Sequence, residues 1–94
     1  MSKPITLYDL RKNAGLTAQE VVRRMQLLAP ETPNYYEWVI QVERRGTQRI
    51  GSLRALSAIY GVSLEEVEAA ALNSRQYGKP ETRRKSTLEK IYSH

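Results

Sequence analysis

Apolar residues between Thr17 and Met25 recur at the spacing of one helix face. Val21, Val22 and Met25 form an apolar stripe, and most of the residues between them are polar. Thr17 followed three residues later by Glu20 is a capping box, in which a hydroxyl and a carboxylate each satisfy a backbone N–H group at a helix start. The pattern predicts an amphipathic helix that begins after Thr17 and buries one side.

A second amphipathic segment follows a proline-containing stretch. Thr32 and Pro33 match an N-cap and a first helical position, so we expect this helix to cover about residues 33–45. Val39 and Val42 supply its inward stripe. Gly46 supplies a residue that readily adopts the left-handed conformation with which many helices end.

The stretch between these two helices has two readings. Leu27 and Leu28 either lengthen the preceding helix and cap the core, which we favour, or residues 26–34 form a separate contact surface. Long connections in compact domains often carry function, so the second reading stays open.

Three further helices are predicted around this pair. The first runs over about 7–14, with Thr6 and Asp9 as a capping box and Leu7, Leu10 and Ala14 facing inward. Residues 47–51 form a loop that leads into a fourth helix, which buries Leu53, Leu56 and either Ile59 or Tyr60. A stop at Gly61 and a capping box of Ser63 with Glu66 begin the fifth, in which Leu64 and Val67 are buried. The chain is therefore expected to be all-α.

The composition changes after about residue 72. Residues 73–85 contain Gly78, Pro80 and six charged residues, which indicates a flexible linker. Residues 86–92 form another capping box with Leu88, Ile91 and Tyr92 on one face, a short helix that either docks on a partner subunit or stays disordered. We therefore divide the chain into a domain at 1–72 and a basic linker and tail at 73–94.

Net charge favours a polyanionic partner. The 94 residues carry a net charge of +5 and a pI of about 9.7, and residues 73–94 account for +4 of that charge. The chain has no cysteine, so neither a disulfide nor a thiolate metal site is possible. No apolar run approaches the length of a membrane span. We expect a soluble, cytoplasmic protein, with a homodimer as a possible state.

Catalysis has no support in the sequence. The one histidine is His94, no glycine-rich phosphate loop is present, and the carboxylates are scattered among basic residues. We expect no catalytic site, no metal, no cofactor and no small-molecule substrate.

The order of these motifs resembles the phage-repressor-like helix-turn-helix domains of the Cro and Xre type. The matching segments are LRKNAGLT at 10–17, Glu20-Val21-Val22, Val42-Glu43 before Gly46, and LSAIYGVSLEEV at 56–67, which has the family's spacing without a gap. The resemblance covers about residues 5–70. It implies a five-helix lambda-repressor-like helix-turn-helix domain, a double-stranded DNA partner and a regulator of transcription, most simply a repressor, whose third helix enters the major groove.

The chain departs from the family pattern in four respects. It has several more residues between Met25 and Tyr35 and one extra residue before Gly46. Ala18 stands where the family often places a phosphate-contacting glutamine, and Gln19 follows it. The positions expected to face the groove also differ, because the family favours Ser, Arg, Thr, Asn and Gln, whereas this chain has Tyr35, Tyr36, Glu37, Trp38, Ile40 and Gln41.

Within that set, Tyr36 and Gln41 are the leading candidates for base contacts, and Tyr35 is expected to be at least half buried. Arg44, Arg45 and Arg49 are expected to contact phosphates, although an ordinary solvated charged face is the alternative. The full set of candidate DNA-binding residues is Thr17, Gln19, Arg23, Tyr36, Glu37, Trp38, Ile40, Gln41, Arg44, Arg45, Thr47, Gln48 and Arg49.

A second function class competes with DNA binding. The aromatic residues and Glu37 on the expected reading face favour a protein-interaction module, such as an adaptor or an antitoxin-like partner binder that uses the same fold. The arginines around Gly46 and the overall basic charge favour the DNA-binding regulator, which we prefer.

Overall fold

The computed structural model describes residues 4–77. These residues form five helices and no strand, so the all-α prediction is confirmed for this part of the chain. The helices are α1 (Leu7–Asn13), α2 (Ala18–Leu28), α3 (Tyr36–Arg45), α4 (Ile50–Tyr60) and α5 (Leu64–Tyr77). The short helix predicted at 86–92 and most of the predicted basic tail lie outside the described residues.

All three capping boxes predicted for these helices form. The Glu20 carboxylate accepts from the Thr17 backbone N–H at 2.8 Å, and the Thr17 hydroxyl accepts from the Glu20 N–H at 3.1 Å. The boxes of Thr6 with Asp9 and of Ser63 with Glu66 have the same reciprocal hydrogen bonds. Each of these three helix starts follows from a reciprocal hydrogen-bond motif that is complete within four residues.

The core lies between all five helices, because α5 packs against α1, α3 and α4, and α2 packs against α3 and α4. The inward positions predicted for α2, α3 and α4 are buried, and Ile59 and Tyr60 are both buried rather than one of them. Two expectations fail: Ala14 is exposed and caps the end of α1, and Leu64 is only half buried. Within residues 4–77, no helix is long and apolar enough to cross a membrane.

The predicted start of the third helix is wrong. α3 begins at Tyr36, because the Thr32 hydroxyl donates to the Ala29 carbonyl at 2.8 Å instead of capping a helix. The Asn34 side-chain amide donates to the carbonyls of Pro30 and Thr32 at 3.3 and 3.0 Å. Hydrogen bonds within this turn therefore delay the helix by about one turn.

The connection between α2 and α3 confirms only part of the favoured reading. Leu27 and Leu28 do lengthen α2, but they do not cap the core, since their side chains are 83% and 56% exposed. The Gln26 side-chain amide donates to the Asn34 carbonyl at 3.4 Å, which ties the end of α2 to the turn before α3.

Two other predicted boundaries shift. α4 begins at Ile50 with Arg49 as its N-cap, inside the predicted loop at 47–51. α5 continues through residues 73–77, which were assigned to the linker. Ser74 is fully buried there, and its hydroxyl accepts from the Leu7 N–H at 2.9 Å. A contact between residues 67 positions apart leaves no local signal, so the residue pattern does not indicate that this helix extends past residue 72.

Candidate nucleic-acid interface

The polar side of α3 is open to solvent. Val39 and Val42 are buried, whereas Glu37 and Gln41 lie one turn apart on the opposite side of the helix and are exposed. Tyr36, the first residue of α3, is 46% exposed. These three side chains are free to meet a ligand without any change in the packing of the helix.

Two aromatic or apolar residues of α3 and its N-cap lie elsewhere than expected. Ile40, predicted to share an outward face with Tyr36 and Gln41, is only partly exposed and packs against the core, as does Trp38. Tyr35, expected to be at least half buried, is 56% exposed because it precedes the helix instead of lying on its inward stripe. The structure therefore reverses the expected exposure of Tyr35 and Ile40.

A buried ion pair fixes α3 against α1. The Arg11 guanidinium donates to both carboxylate oxygens of Glu43, from Nε at 2.5 Å and from an Nη at 3.1 Å. Glu43 is 3% exposed, and Arg11 also donates to the Leu16 carbonyl at 3.2 Å. The hydrogen bond to Glu43 raises the pKa of Arg11. Two parallel hydrogen bonds restrict rotation as well as distance, so they set the orientation of α3.

Sequence reasoning missed this pair, although a signal existed. Glu43 follows Val42 and lies one turn after Val39, so helical spacing places a carboxylate on the buried stripe. A charge in that position needs a buried partner. Arg11 and Glu43 also belong to two of the segments that carry the family resemblance.

The loop after α3 turns sharply at Gly46. Gly46 has a φ of 76°, and a Cβ atom at this position would lie 2.3 Å from the Ala71 carbonyl oxygen of α5. Glycine is required here both by the backbone conformation and by the close approach of α5. The turn delivers Thr47, Gln48 and Arg49 to the surface beside the end of α3.

In this loop the Thr47 hydroxyl accepts from the Arg49 N–H at 3.2 Å. Gln48 and Arg49 are exposed, as is Arg45, while Arg44 and Thr47 are partly buried. Three arginines therefore lie within six residues at the end of α3 and the start of α4. Exposed guanidinium groups with neighbouring amide and hydroxyl donors suit contacts to phosphate oxygens.

The candidates on α2 lie in its first two turns. Thr17, Gln19 and Arg23 are all exposed. The Thr17 hydroxyl already accepts from Glu20, but a hydroxyl keeps its proton for donation. Hydrogen bonding from the Thr17 backbone lowers the pKa of Glu20, which holds that carboxylate in its charged form beside the start of the helix.

Taken together, the candidate residues carry more positive than negative charge. Arg23, Arg44, Arg45 and Arg49 stand against the single carboxylate of Glu37. Within residues 4–77, no group of three or more histidine, cysteine, aspartate or glutamate side chains is arranged to hold a metal ion.

The chain matches no protein-family model, no curated protein and no solved structure.

Proposed function

We propose that this protein is a helix-turn-helix, sequence-specific DNA-binding regulator of transcription that acts as a repressor. α3 enters the major groove and the arginines at its end bind the phosphate backbone. The observation that carries this proposal is the solvent-exposed polar side of α3, held in place by the bidentate contact of Arg11 with Glu43. The order of the five helices and the motif segments at 10–17 and 56–67 support the lambda-repressor-like identity of the fold.

The dimensions of α3 suit this role. Ten residues make a helix about 15 Å long, and the major groove of B-DNA, about 12 Å wide, admits one helix. Gln41 would read adenine or another base through its amide, and Tyr36 would contact a thymine methyl or a sugar. Glu37 would accept from a cytosine amine, which is the base contact that a carboxylate can make.

Phosphate contacts supply the affinity in this proposal. Arg44, Arg45 and Arg49 would approach the backbone from the end of α3, and Thr17, Gln19 and Arg23 from the start of α2. Each neutralised phosphate releases counterions, so the logarithm of the binding constant should fall by about 0.9 per contact for each tenfold rise in salt.

A protein-interaction module is the second candidate, and one observation favours it. Four large apolar or aromatic side chains at the end of α2 and the start of α3 are at least 46% exposed: Leu27, Leu28, Tyr35 and Tyr36. Exposed apolar surface of this kind is typical of protein contact sites.

The deciding experiment is a selection of genomic fragments bound by the purified protein at low salt, followed by anisotropy titrations of the selected duplexes. The regulator proposal requires binding that weakens steeply with salt and a recurring sequence among the fragments. Absence of binding at low salt would leave the interaction module as the better proposal. The variant Leu27→Gln with Leu28→Gln, which adds no charge, should leave DNA binding unchanged if the regulator proposal is right.

A further inference from the structure

A cleft of about 590 Å³ lies between the loop after α3 and the second half of α5. Leu53, Ala71 and Leu72 give it an apolar lining, and Arg45 and Arg75 add two cationic side chains. Leu72 is 58% exposed even though it borders the cleft. An open cleft with an exposed leucine at its edge presents apolar surface that a further segment would remove from water.

We propose that residues 86–92 of the same chain bind in this cleft as a short helix. Ser86 and Glu89 have the spacing of a capping box, and Leu88, Ile91 and Tyr92 fall on one side of the resulting helix. A helix of this length is unstable by itself in water, so it forms only on a surface that covers its apolar side.

Chain geometry allows this occupant. Arg75 lines the cleft and α5 ends at Tyr77, so the chain leaves the described residues beside the cleft. The eight residues 78–85 span up to about 26 Å when extended. A seven-residue helix is about 10 Å long, which equals the length of α5 from Glu68 to Arg75 along the cleft.

The tether also favours the same chain over a second copy. A short flexible connection holds its attached segment at an effective concentration on the order of millimolar. A free protein at micromolar concentration would offer a second copy of the segment far less often.

Charge supports the same occupant. Helical geometry places Glu89 at the margin of the apolar side, beside Leu88. Arg45 and Arg75 would lie near that carboxylate, and Glu68 is the one carboxylate among the residues that line the cleft. The Glu89 carboxylate would therefore lie near two cationic side chains and one anionic side chain of the cleft.

Docking would also bring the basic residues close to the candidate interface. Arg45, Thr47 and Gln48 line the cleft and belong to the candidate DNA-binding set. Arg83, Arg84 and Lys85 immediately precede the docking segment, so they would be held beside this loop. The docking itself does not depend on DNA binding, and its test uses no DNA.

The absence of cysteine from the chain allows a single-site spin-label experiment on the full-length protein. A nitroxide attached to His94→Cys should broaden the amide NMR signals of Thr47, Leu53 and Leu72 several-fold more than those of α2. Adding Leu88→Asp and Ile91→Asp should abolish this difference. The matched control, Ser86→Asp with Ser93→Asp, adds the same two charges on the opposite side of the helix and should preserve it.

Three outcomes would overturn the proposal. The first is equal broadening at the cleft and at α2, and the second is broadening that survives Leu88→Asp with Ile91→Asp. The third outcome is tested with a mixture of two protein samples. One sample carries the spin label and has natural isotope content, and the other is ¹⁵N-labelled and carries no spin label. Broadening at the cleft in that mixture would show that a second copy supplies the segment. Leu72→Asp, on the exposed edge of the cleft, should reduce the broadening without affecting the buried core.

Discussion

Arg11 and Glu43 lie 32 residues apart in sequence and form the bidentate ion pair that joins the first helix to the third. Both are largely removed from water, with 11% and 3% of their side chains exposed. Burying an unpaired ion costs several kcal/mol. The opposite charge of each residue offsets that cost for the other, so both can lie in the core. The pair therefore matters more for orienting α3 than for net stability.

Glu43→Gln should lower the free energy of unfolding by about 1–3 kcal/mol, because it removes the counterion of a partly buried guanidinium and weakens its hydrogen bonds. Urea denaturation followed by circular dichroism measures this directly. Glu37→Gln is the matched control on the exposed side of the same helix and should change stability by less than about 0.5 kcal/mol. Equal effects of the two substitutions would contradict the structural role of the pair.

Replacing both partners tests orientation separately. Arg11→Met with Glu43→Leu should recover most of the lost stability, since a well-packed apolar pair can be as stable as a buried ion pair. If α3 depends on the two parallel hydrogen bonds for its orientation, this variant should remain folded and bind selected DNA more weakly.

Gly46→Ala should destabilise the protein more than Gly61→Ala does. Both glycines have positive φ. Gly61 is in the left-handed helical conformation, for which a non-glycine residue incurs a penalty of about 1–2 kcal/mol. Gly46 has a ψ of -179°, a conformation that is essentially restricted to glycine. A methyl group at residue 61 meets no atom within 4 Å, whereas one at residue 46 would collide with the Ala71 carbonyl. Comparable unfolding free energies for the two variants would mean that α5 can move away at no cost.

Tyr60 should make stability fall at high pH. Burial raises the pKa of Tyr60, and the nearby Glu43 carboxylate adds to the effect. Its stabilising contribution is fully present below the ordinary tyrosine pKa of about 10 and is lost as pH rises towards the raised value, by up to about 1.4 kcal/mol per pH unit. Tyr60→Phe should remove this part of the pH dependence in urea titrations, with Tyr36→Phe as the control for losing one phenol.

Substitutions of base-reading residues and of phosphate-contacting residues should affect DNA sequence preference differently. Gln41→Ala and Tyr36→Ala should each reduce discrimination between selected and altered DNA by about 1–3 kcal/mol. Arg45→Ala should weaken binding to all sequences and reduce the salt slope by about 0.9. Arg54→Ala, an exposed arginine outside the candidate set, should change neither. An exchange of these outcomes would place the reading face one position away from the assigned one.

Deleting residues 78–94 should lower affinity for every DNA sequence. The segment carries a net charge of +3, from Lys79, Arg83, Arg84, Lys85 and Lys90 against Glu81 and Glu89. The deletion must begin after Tyr77 and not at Asn73, because Ser74 is buried in the core. Losing two to four phosphate contacts would flatten the salt slope by about 0.9 per contact.

Further variants distinguish two roles of residues 78–94, namely electrostatic attraction to DNA and contact between two subunits. Arg83, Arg84 and Lys85 changed together to alanine should reproduce the deletion if the effect is electrostatic. Leu88→Asp with Ile91→Asp should reproduce it, with sedimentation shifting towards monomer, if the segment joins two subunits. Unchanged affinity and salt slope after the deletion would eliminate both roles.

The sequence predicted what local hydrogen bonds and helical spacing determine. Thr6, Thr17 and Ser63 begin their helices as expected, because each capping box is complete within four residues. Thr32 and Pro33 failed as a helix start because the Thr32 hydroxyl had a competing acceptor at Ala29. That choice depends on the three-dimensional course of the turn, which the residue pattern alone does not contain.

Most of what could not be predicted, in the fold and in the candidate site, consists of contacts between segments that are distant in sequence. The spacing of Glu43 on the buried stripe signalled an ion pair but could not name Arg11 as the partner. The exposure of Tyr35 follows from the later start of α3, which leaves this residue before the helix. Ile40 lies within the helix for either start, and its partial burial comes from packing against the core.

The hydrogen bonds from α5 back to the first residues of the domain constrain how the chain can fold during synthesis. Ser74 accepts from Leu7, and the Asn73 side-chain amide donates to the Ile5 carbonyl at 2.9 Å. Contacts this distant in sequence form late, since closing a long loop costs entropy before any contact repays it. A ribosome-bound chain therefore cannot complete this core until residue 74 has left the exit tunnel, and until then α1 lacks the partner that satisfies its first backbone N–H.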